Sequence, residues 1–244
     1  MHWRPPEIAM PETTFDPNES VAQIVTRFPA SARVFQAHHI DFCCRGELTV
    51  AQALRGRKER PEEVMAELEA AARSRPPLAD GALPADLSVP ALVARILDRH
   101  HAYLRRALPA LEPLLQKIAD VHGDREPRLL ELLAVFRGLR EWVEPHLEEE
   151  ETVLFPLLMS RGADRDRIAG ELGRMREEHM KVGLAFDRIR DITGDFAVPE
   201  WGCASFRLAM AELEDLTSDM LRHIHLENHV LMPRFVEKAQ GERR

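Results

Sequence analysis

Apolar residues recur at steps of three and four along most of this chain. Over 88–119 they fall at Val93, Leu97, Leu104, Leu108, Leu111 and Leu115, and over 127–159 at Leu132, Phe136, Leu139, Val143, Val153 and Leu157. Over 164–191 they fall at Ile168, Leu172, Met175, Val182, Phe186 and Ile189, and over 199–238 at Phe206, Met210, Leu213, Met220 and Val230. Such spacing marks a helix with one face turned toward a bundle core. Alternating apolar and polar runs, the mark of strands, are missing, and the short connections imply antiparallel neighbours. The pattern predicts an all-α protein whose main part, 87–240, is a four-helix bundle.

A smaller helical unit is predicted ahead of it, over 19–73, behind an N-terminal tail, 1–18. Val21, Ile24, Val25 and Phe28 form one apolar face, PASARVFQAHH a second short helix, TVAQAL a third with Thr49 as N-cap, and PEEVMAELEAAA a fourth with Pro in its first turn. The stretch 74–86 is rich in Pro and Gly and has no helical period, which makes it the linker.

The four long seams were defined by aliphatic residues, yet each also carries a histidine: His101, His146, His179 and His223. Two carry a glutamate one turn later, Glu150 and Glu227, within the near-repeats HLEEEETVLFP and HIHLENHVLMP. A lone core histidine is usually a packed one. A core carboxylate is harder to place, because unpaired burial costs several kcal/mol. Nearly equal stretches separate His101 from His146 and His179 from His223, so antiparallel helices put all six groups at one depth. Residues at i and i+4 share a helix face, so each glutamate stands beside its histidine. Imidazole and carboxylate together suit iron, and bundle helices commonly hold paired metals. If both carboxylates bridge, each of two metals receives four protein ligands, with room for an oxo or hydroxo bridge and for O2, NO or another small ligand.

Other polar residues fall off these seams. Glu148, Glu149 and Glu151 read as a solvated acidic surface, and His225 and His229 as surface residues. His100 competes with His101 for the inward position, which Leu97, Leu104 and Leu108 favour for His101. Periodicity gives His122 no role.

Composition narrows the setting. The 244 residues are 45% hydrophobic, 30% charged and 6% aromatic, with net charge −8 and pI near 5.8. The acidic excess without a basic block argues against a general nucleic-acid partner. No run of eighteen apolar residues occurs, and the proline-containing N-terminus lacks a signal-peptide core. Together with three cysteines, two of them adjacent at Cys43 and Cys44, this points to a cytoplasmic protein with no membrane span and no disulfide framework. The adjacent pair is a candidate for thiolate chemistry, metal or NO binding or redox exchange. Arg45 beside it is expected to depress a thiol pKa. Cys203 reads as structural.

The segments RHHAYLRRALP, HLEEEETVLFP, REEH and HIHLENHVLMP resemble the ligand segments of hemerythrin-like domains. DFCCRG followed by a short helix resembles the small N-terminal domain of the iron-sulfur cluster repair di-iron proteins. The resemblance covers about 19–238. It implies His101, His146, His179 and His223 as iron ligands with Glu150 and Glu227 bridging two irons. It also implies a stress-response protein that restores iron-sulfur clusters damaged by nitric oxide or oxidants, by supplying iron or removing NO, with damaged iron-sulfur proteins as partners. A hemerythrin-like O2 or NO sensor or carrier, or a di-iron NO reductase, is the alternative.

Overall fold

The structure is a computed structural model that describes residues 15–16, 18–73 and 82–236. Most of the tail, 74–81 of the linker and the chain from 237 on lie outside the described residues.

Four helices build the N-terminal unit: α1 (Val21–Arg27), α2 (Ser31–Ala37), α3 (Val50–Ala53) and α4 (Pro61–Arg73). Ser20 and Thr49 each close a reciprocal capping box, with Gln23 and Gln52, and the two capping residues pair in a single antiparallel bridge. The starts of α1 and α3 are therefore locked together. Within the predicted tail Phe15 is buried, its ring edge-on to Phe28 at 5.2 Å and covered by the Arg27 guanidinium. Of the predicted linker, Pro84–Asp86 forms one tight helical turn whose carbonyls accept from Arg234.

The long seams form four helical rods. α5 runs through Val89–Arg95, Ile96–His101 and Ala102–His122; α6 through Arg128–Glu149, Glu150–Leu154 and Phe155–Met159; α7 is Arg165–Thr193; α8 runs through Ala204–His225 and Leu226–Leu231. α5 packs on α6 and α8, and α7 packs on α6 and α8, which closes an up-down bundle. Pro109, Pro113 and Pro145 sit inside helices, each on the solvent side. Asp164 caps α7, and Gly194, at φ +62°, ends it in the left-handed conformation that a glycine adopts without penalty.

Three of the rods widen where the polar residues lie. Ile96–His101, Glu150–Leu154 and Leu226–Leu231 are π-helical, with N–H groups reaching five residues back: Ala102 to Leu97, Phe155 to Glu150, Met232 to Glu227. The proline that closes each near-repeat lies just past its wide turn: Pro156 follows Phe155 and Pro233 follows Met232, the residues whose N–H groups close those turns.

Buried apolar residues fall into two clusters. The larger runs from Leu104–Ile118 of α5 through the matching halves of α6, α7 and α8 and continues into Ile24, Phe35, Phe42 and Leu68 of the N-terminal unit. The smaller, with Leu92, Ile96, Phe155, Met175 and Leu231, fills the other end of the bundle. The six polar seam residues form the layer between them.

Shared core means that the N-terminal unit covers one face of α7 and α8, and this overturns the surface reading of two histidines. His225 is 3% exposed: Nδ1 donates to the Phe42 carbonyl at 3.1 Å and Nε2 faces Thr26 Oγ1 at 3.2 Å. His229, half-buried, donates from Nε2 to the Cys43 carbonyl at 3.0 Å. Gly46 sits where a Cβ would come within 2.7 Å of Ala22 and 2.9 Å of His229 Nε2, so the loop 41–46 can lie this close only with glycine there.

Burial, reinforced by His229, pushes the His225 imidazole down to about 3. A folded-state value below the unfolded one near 6.5 means that its contribution is complete above 6.5 and is lost as pH falls from there toward 3. Between pH 6 and 4 His225 should remove about 1 kcal/mol of folding stability per pH unit. In His225→Gln, which keeps an amide donor and acceptor, chemical denaturation across this range should show a shallower acid limb; an unchanged slope would refute the assignment.

Candidate metal centre

The bundle brings all six seam residues together. His101, Glu150, His179, His223 and Glu227 are 0–2% exposed and His146 is 9% exposed. Every histidine turns Nε2 inward. His146 Nε2 lies 3.1 Å from Glu150 Oε1 and His101 Nε2 3.4 Å from Glu150 Oε2. His223 Nε2 lies 3.0 Å from Glu227 Oε1, and His179 Nε2 3.2 Å from Glu227 Oε2 and 3.7 Å from Glu150 Oε1. His101 and His223 meet at 3.2 Å between their Nε2 atoms.

These donors fall into two four-residue sets, His101, Glu150, His223 and Glu227, and His146, Glu150, His179 and Glu227. In each set the ligand atoms lie within 4.8 Å of one another, and both carboxylates belong to both sets. Neither oxygen of Glu150 or Glu227, nor Nε2 of His179, has a well-aligned hydrogen-bond partner despite complete burial. Buried carboxylate oxygens are ordinarily satisfied, and four such oxygens converging with four imidazole nitrogens are a donor set for a cation. The residues fit a metal site.

Outside this layer each ring finds its own support. His101 Nδ1 donates to Glu151 at 2.8 Å, His146 Nδ1 to Glu178 at 2.7 Å and His179 Nδ1 to Asn228 Oδ1 at 2.9 Å. His223 differs: its buried Nδ1 has no direct partner, and its ring stacks on His100 at 5.7 Å with 12° between planes, while His100 Nδ1 donates to Asp219 at 3.0 Å. Outer partners of this kind fix the orientation of metal-binding imidazoles. They also correct the reading of the acidic run as bare surface. Glu151 holds His101, and Glu148 and Glu149 pair with Arg105 and Arg174, the arginines that also hold Glu151 and Glu178. Both His100 and His101 point inward, His101 into the layer and His100 behind His223. Asn228, Glu178 and Asp219 went unnoticed in the sequence because their partners lie on other helices; Asn228 and Glu178 are, however, immediate neighbours of Glu227 and His179.

Without a metal the layer is an ion network. Burial favours the neutral form of every ring, but Glu150 outweighs it at His101 and His146, and Glu150 with Glu227 outweighs it at His179, so all three are pushed up. At His223 burial prevails and the ring is pushed down. Burial pushes both carboxylates up, and the facing histidines more than reverse it, leaving Glu150 and Glu227 ionised.

Cys43 and Cys44 stand outside the layer, on the far side of α7. Their sulfurs are 3.5 Å apart, and Cys44 Sγ donates to the His179 backbone carbonyl at 3.5 Å. With Asp41 they form a third group of close donors, at a cavity of about 170 Å³ that Arg57, Asp187 and Arg190 also line. The expectation that Arg45 depresses a neighbouring thiol fails at Cys43, whose thiol is pushed well up by its contact with Cys44 and by burial. Arg45 instead pairs with Asp41 at 3.5 Å, and Asp41 Oδ1 accepts from the Cys43 and Cys44 N–H groups and the Cys43 thiol. Cys203, at the other end of the bundle, is exposed; contact with His122 Nε2 at 3.3 Å and the N–H groups of α8 bring it down to about 7.

Fold and layer together define a helical bundle with a buried histidine and carboxylate cation site. Residues 92–235 match the hemerythrin HHE cation binding domain, and 17–72 match a domain of unknown function, DUF542. The chain therefore belongs to the hemerythrin HHE cation-binding family. It is 32% identical over 222 residues to the iron-sulfur cluster repair protein ScdA of Staphylococcus haemolyticus, covering 89% of this chain and 98% of that protein. It is 29% identical over 217 residues to the iron-sulfur cluster repair protein YtfE of Yersinia pseudotuberculosis and of Yersinia pestis, covering 89% of this chain and 96% of theirs. Among the described residues no helix is long and apolar enough to cross a membrane.

Raised folded-state values at His101, His146 and His179 stabilise the metal-free chain below pH 6.5, a contribution lost as pH rises through those values. Metal uptake must expel the same protons. Affinity for a divalent metal should therefore rise with pH across neutrality, and loading in weakly buffered solution should acidify an indicator dye. Uptake without proton release would contradict the ion network.

Proposed function

We propose that this chain is a di-iron protein that repairs iron-sulfur clusters damaged by nitric oxide or oxidants, with the damaged iron-sulfur proteins as its partners. The observation that carries the reading is the pair of four-donor sets sharing Glu150 and Glu227. Two cations in one buried layer repel unless anions lie between them, and two shared carboxylates with four neutral imidazoles supply that arrangement. Iron held by these residues would supply redox chemistry toward small ligands such as NO or O2. His101, His146, His179 and His223 would be terminal ligands, and Glu150 and Glu227 would bridge. The names of the relatives, aligned over nearly their whole length, support the repair assignment.

The chain's own residues supply the rest. The outer carboxylates and Asn228 keep Nδ1–H directed away from the layer and Nε2 directed into it, and the two apolar clusters exclude water from both ends. The wide turns at His101, Glu150 and Glu227 carry three of the six candidate ligands, and wide turns of this kind are frequent at functional sites. In this reading the unit 19–73 carries the thiols, the bundle 87–240 holds the metal, and Cys43 and Cys44 serve the encounter with the damaged cluster.

Protein purified without added metal should contain two irons per chain, with an absorption spectrum that changes when the reduced form is titrated with NO. Glu150→Ala, which touches both donor sets, should lose iron from both positions, whereas His101→Ala should lose it mainly from one. Equal losses in the two variants, read by metal analysis, would contradict the shared bridge. Cys43→Ser with Cys44→Ser should keep the iron spectrum and lose reactivation of a damaged iron-sulfur enzyme. Full reactivation by that variant would remove the thiols from the repair step and favour a carrier or sensor of NO or O2.

A further inference from the structure

One hydrogen-bonded route leaves the metal layer and ends in the N-terminal unit. His179 Nδ1 donates to Asn228 Oδ1 at 2.9 Å, and the Asn228 amide nitrogen donates to the Cys43 carbonyl at 2.9 Å. Asn228 is 6% exposed, so both bonds are shielded from competing water. His101 and His146 also send Nδ1 outward, but their partners Glu151 and Glu178 lead to Arg105 and Arg174 at the surface.

His179 touches the thiol loop a second time, since its backbone carbonyl accepts from Cys44 Sγ. One turn further along α7, Gly183 makes room for that sulfur, which lies 3.3 Å from where a Cβ would stand. Ring and backbone of a single residue therefore hold Cys43 and Cys44 respectively. An amide is directional: with Oδ1 taken by the imidazole N–H, only the –NH2 end remains for Cys43. The position of the His179 ring thus sets the grip on the loop. His179 Nε2 has no well-aligned hydrogen bond and rests on ion-pair contacts with Glu227 at 3.2 Å and Glu150 at 3.7 Å. As a metal ligand it is fixed in place and orientation.

We propose that Asn228 is a positioning residue that couples the metal layer to the thiol loop. When His179 is fixed as a ligand, the Cys43 and Cys44 backbone is held against α7 and α8. When the ring is released, the loop loosens and the Cys44 thiol becomes accessible to an electrophile or a thiol-seeking metal ion. This rests on the metal-centre reading above and adds to it a signal that reports, at the cavity beside Cys44, whether the layer is filled.

The test is iodoacetamide labelling of each cysteine, resolved by peptide mass spectrometry, in the full chain loaded anaerobically with iron(II) and in the same protein stripped by chelator. Cys203, exposed at the opposite end, is the internal reference. In the wild-type chain, Cys44 should label about 5-fold faster when stripped, the lower end of ordinary coupling between sites, with Cys203 unchanged. Asn228→Asp keeps the acceptor for His179 and loses the donor to Cys43. It should retain iron and label Cys44 at one rate in both states. Hydrogen exchange of the 41–46 amides in the wild-type chain, faster when stripped, gives the same reading without a variant. Iron bound with no change in Cys44 labelling, or an Asn228→Asp chain that keeps the wild-type ratio, overturns the coupling alone. A wild-type chain that binds no metal overturns the centre and the coupling with it.

Discussion

Two carboxylates buried between apolar layers dominate the energetics of this protein. Glu150 and Glu227 are 0% exposed in a bundle whose ends are filled by aliphatic and aromatic side chains. A lone carboxylate in that setting would give up its charge or unfold the bundle. Here each faces imidazoles at 3.0 to 3.7 Å, and the histidines keep both ionised against burial and, at Glu227, against the like charge of Glu150. The layer is self-consistent with protons in it and consistent with metal ions in it.

The six donors converge from three helices that carry wide turns and from one regular helix. The wide turns provide the adjustment. Each inserts extra backbone beside a residue of the donor layer, at His101, Glu150 and Glu227, while α7 carries His179 on uninterrupted α-helix. The near-repeats with their closing prolines thus share one structural pattern: histidine, glutamate one turn on, a wide turn, then proline. Support of the rings is unequal. Three have hydrogen-bonded partners on Nδ1, and the fourth, His223, leans on the stacked ring of His100.

The N-terminal unit is part of the same construction. Its apolar side chains continue the larger core, and its loop 41–46 is held by His225, Asn228 and His229, all from the segment that carries His223 and Glu227. The thiols therefore lie behind a helix of the bundle, beside the donor layer and outside it. Their environment is set by Asp41 and by each other more than by the adjacent Arg45.

Helix count, seam residues and the six convergent donors were legible in the sequence because they obey local rules. A 3.6-residue period names the inward face, and a polar residue on that face must be explained by its partners. What lies one shell further out was not legible. Glu151 and Arg105, Glu178 and Arg174, and Asn228 and Cys43 act across helices or across units, and nothing in a linear pattern specifies which surface meets which. His225 and His229 show the same limit: they lie off the bundle seam and are covered because another part of the chain packs there. By itself the sequence determined the donors and their depth, since helical periodicity and i, i+4 spacing are properties of the chain alone. Only tertiary packing decided the widened turns, the partners that orient each ring and the placement of the thiols, because those depend on contacts between segments far apart in sequence.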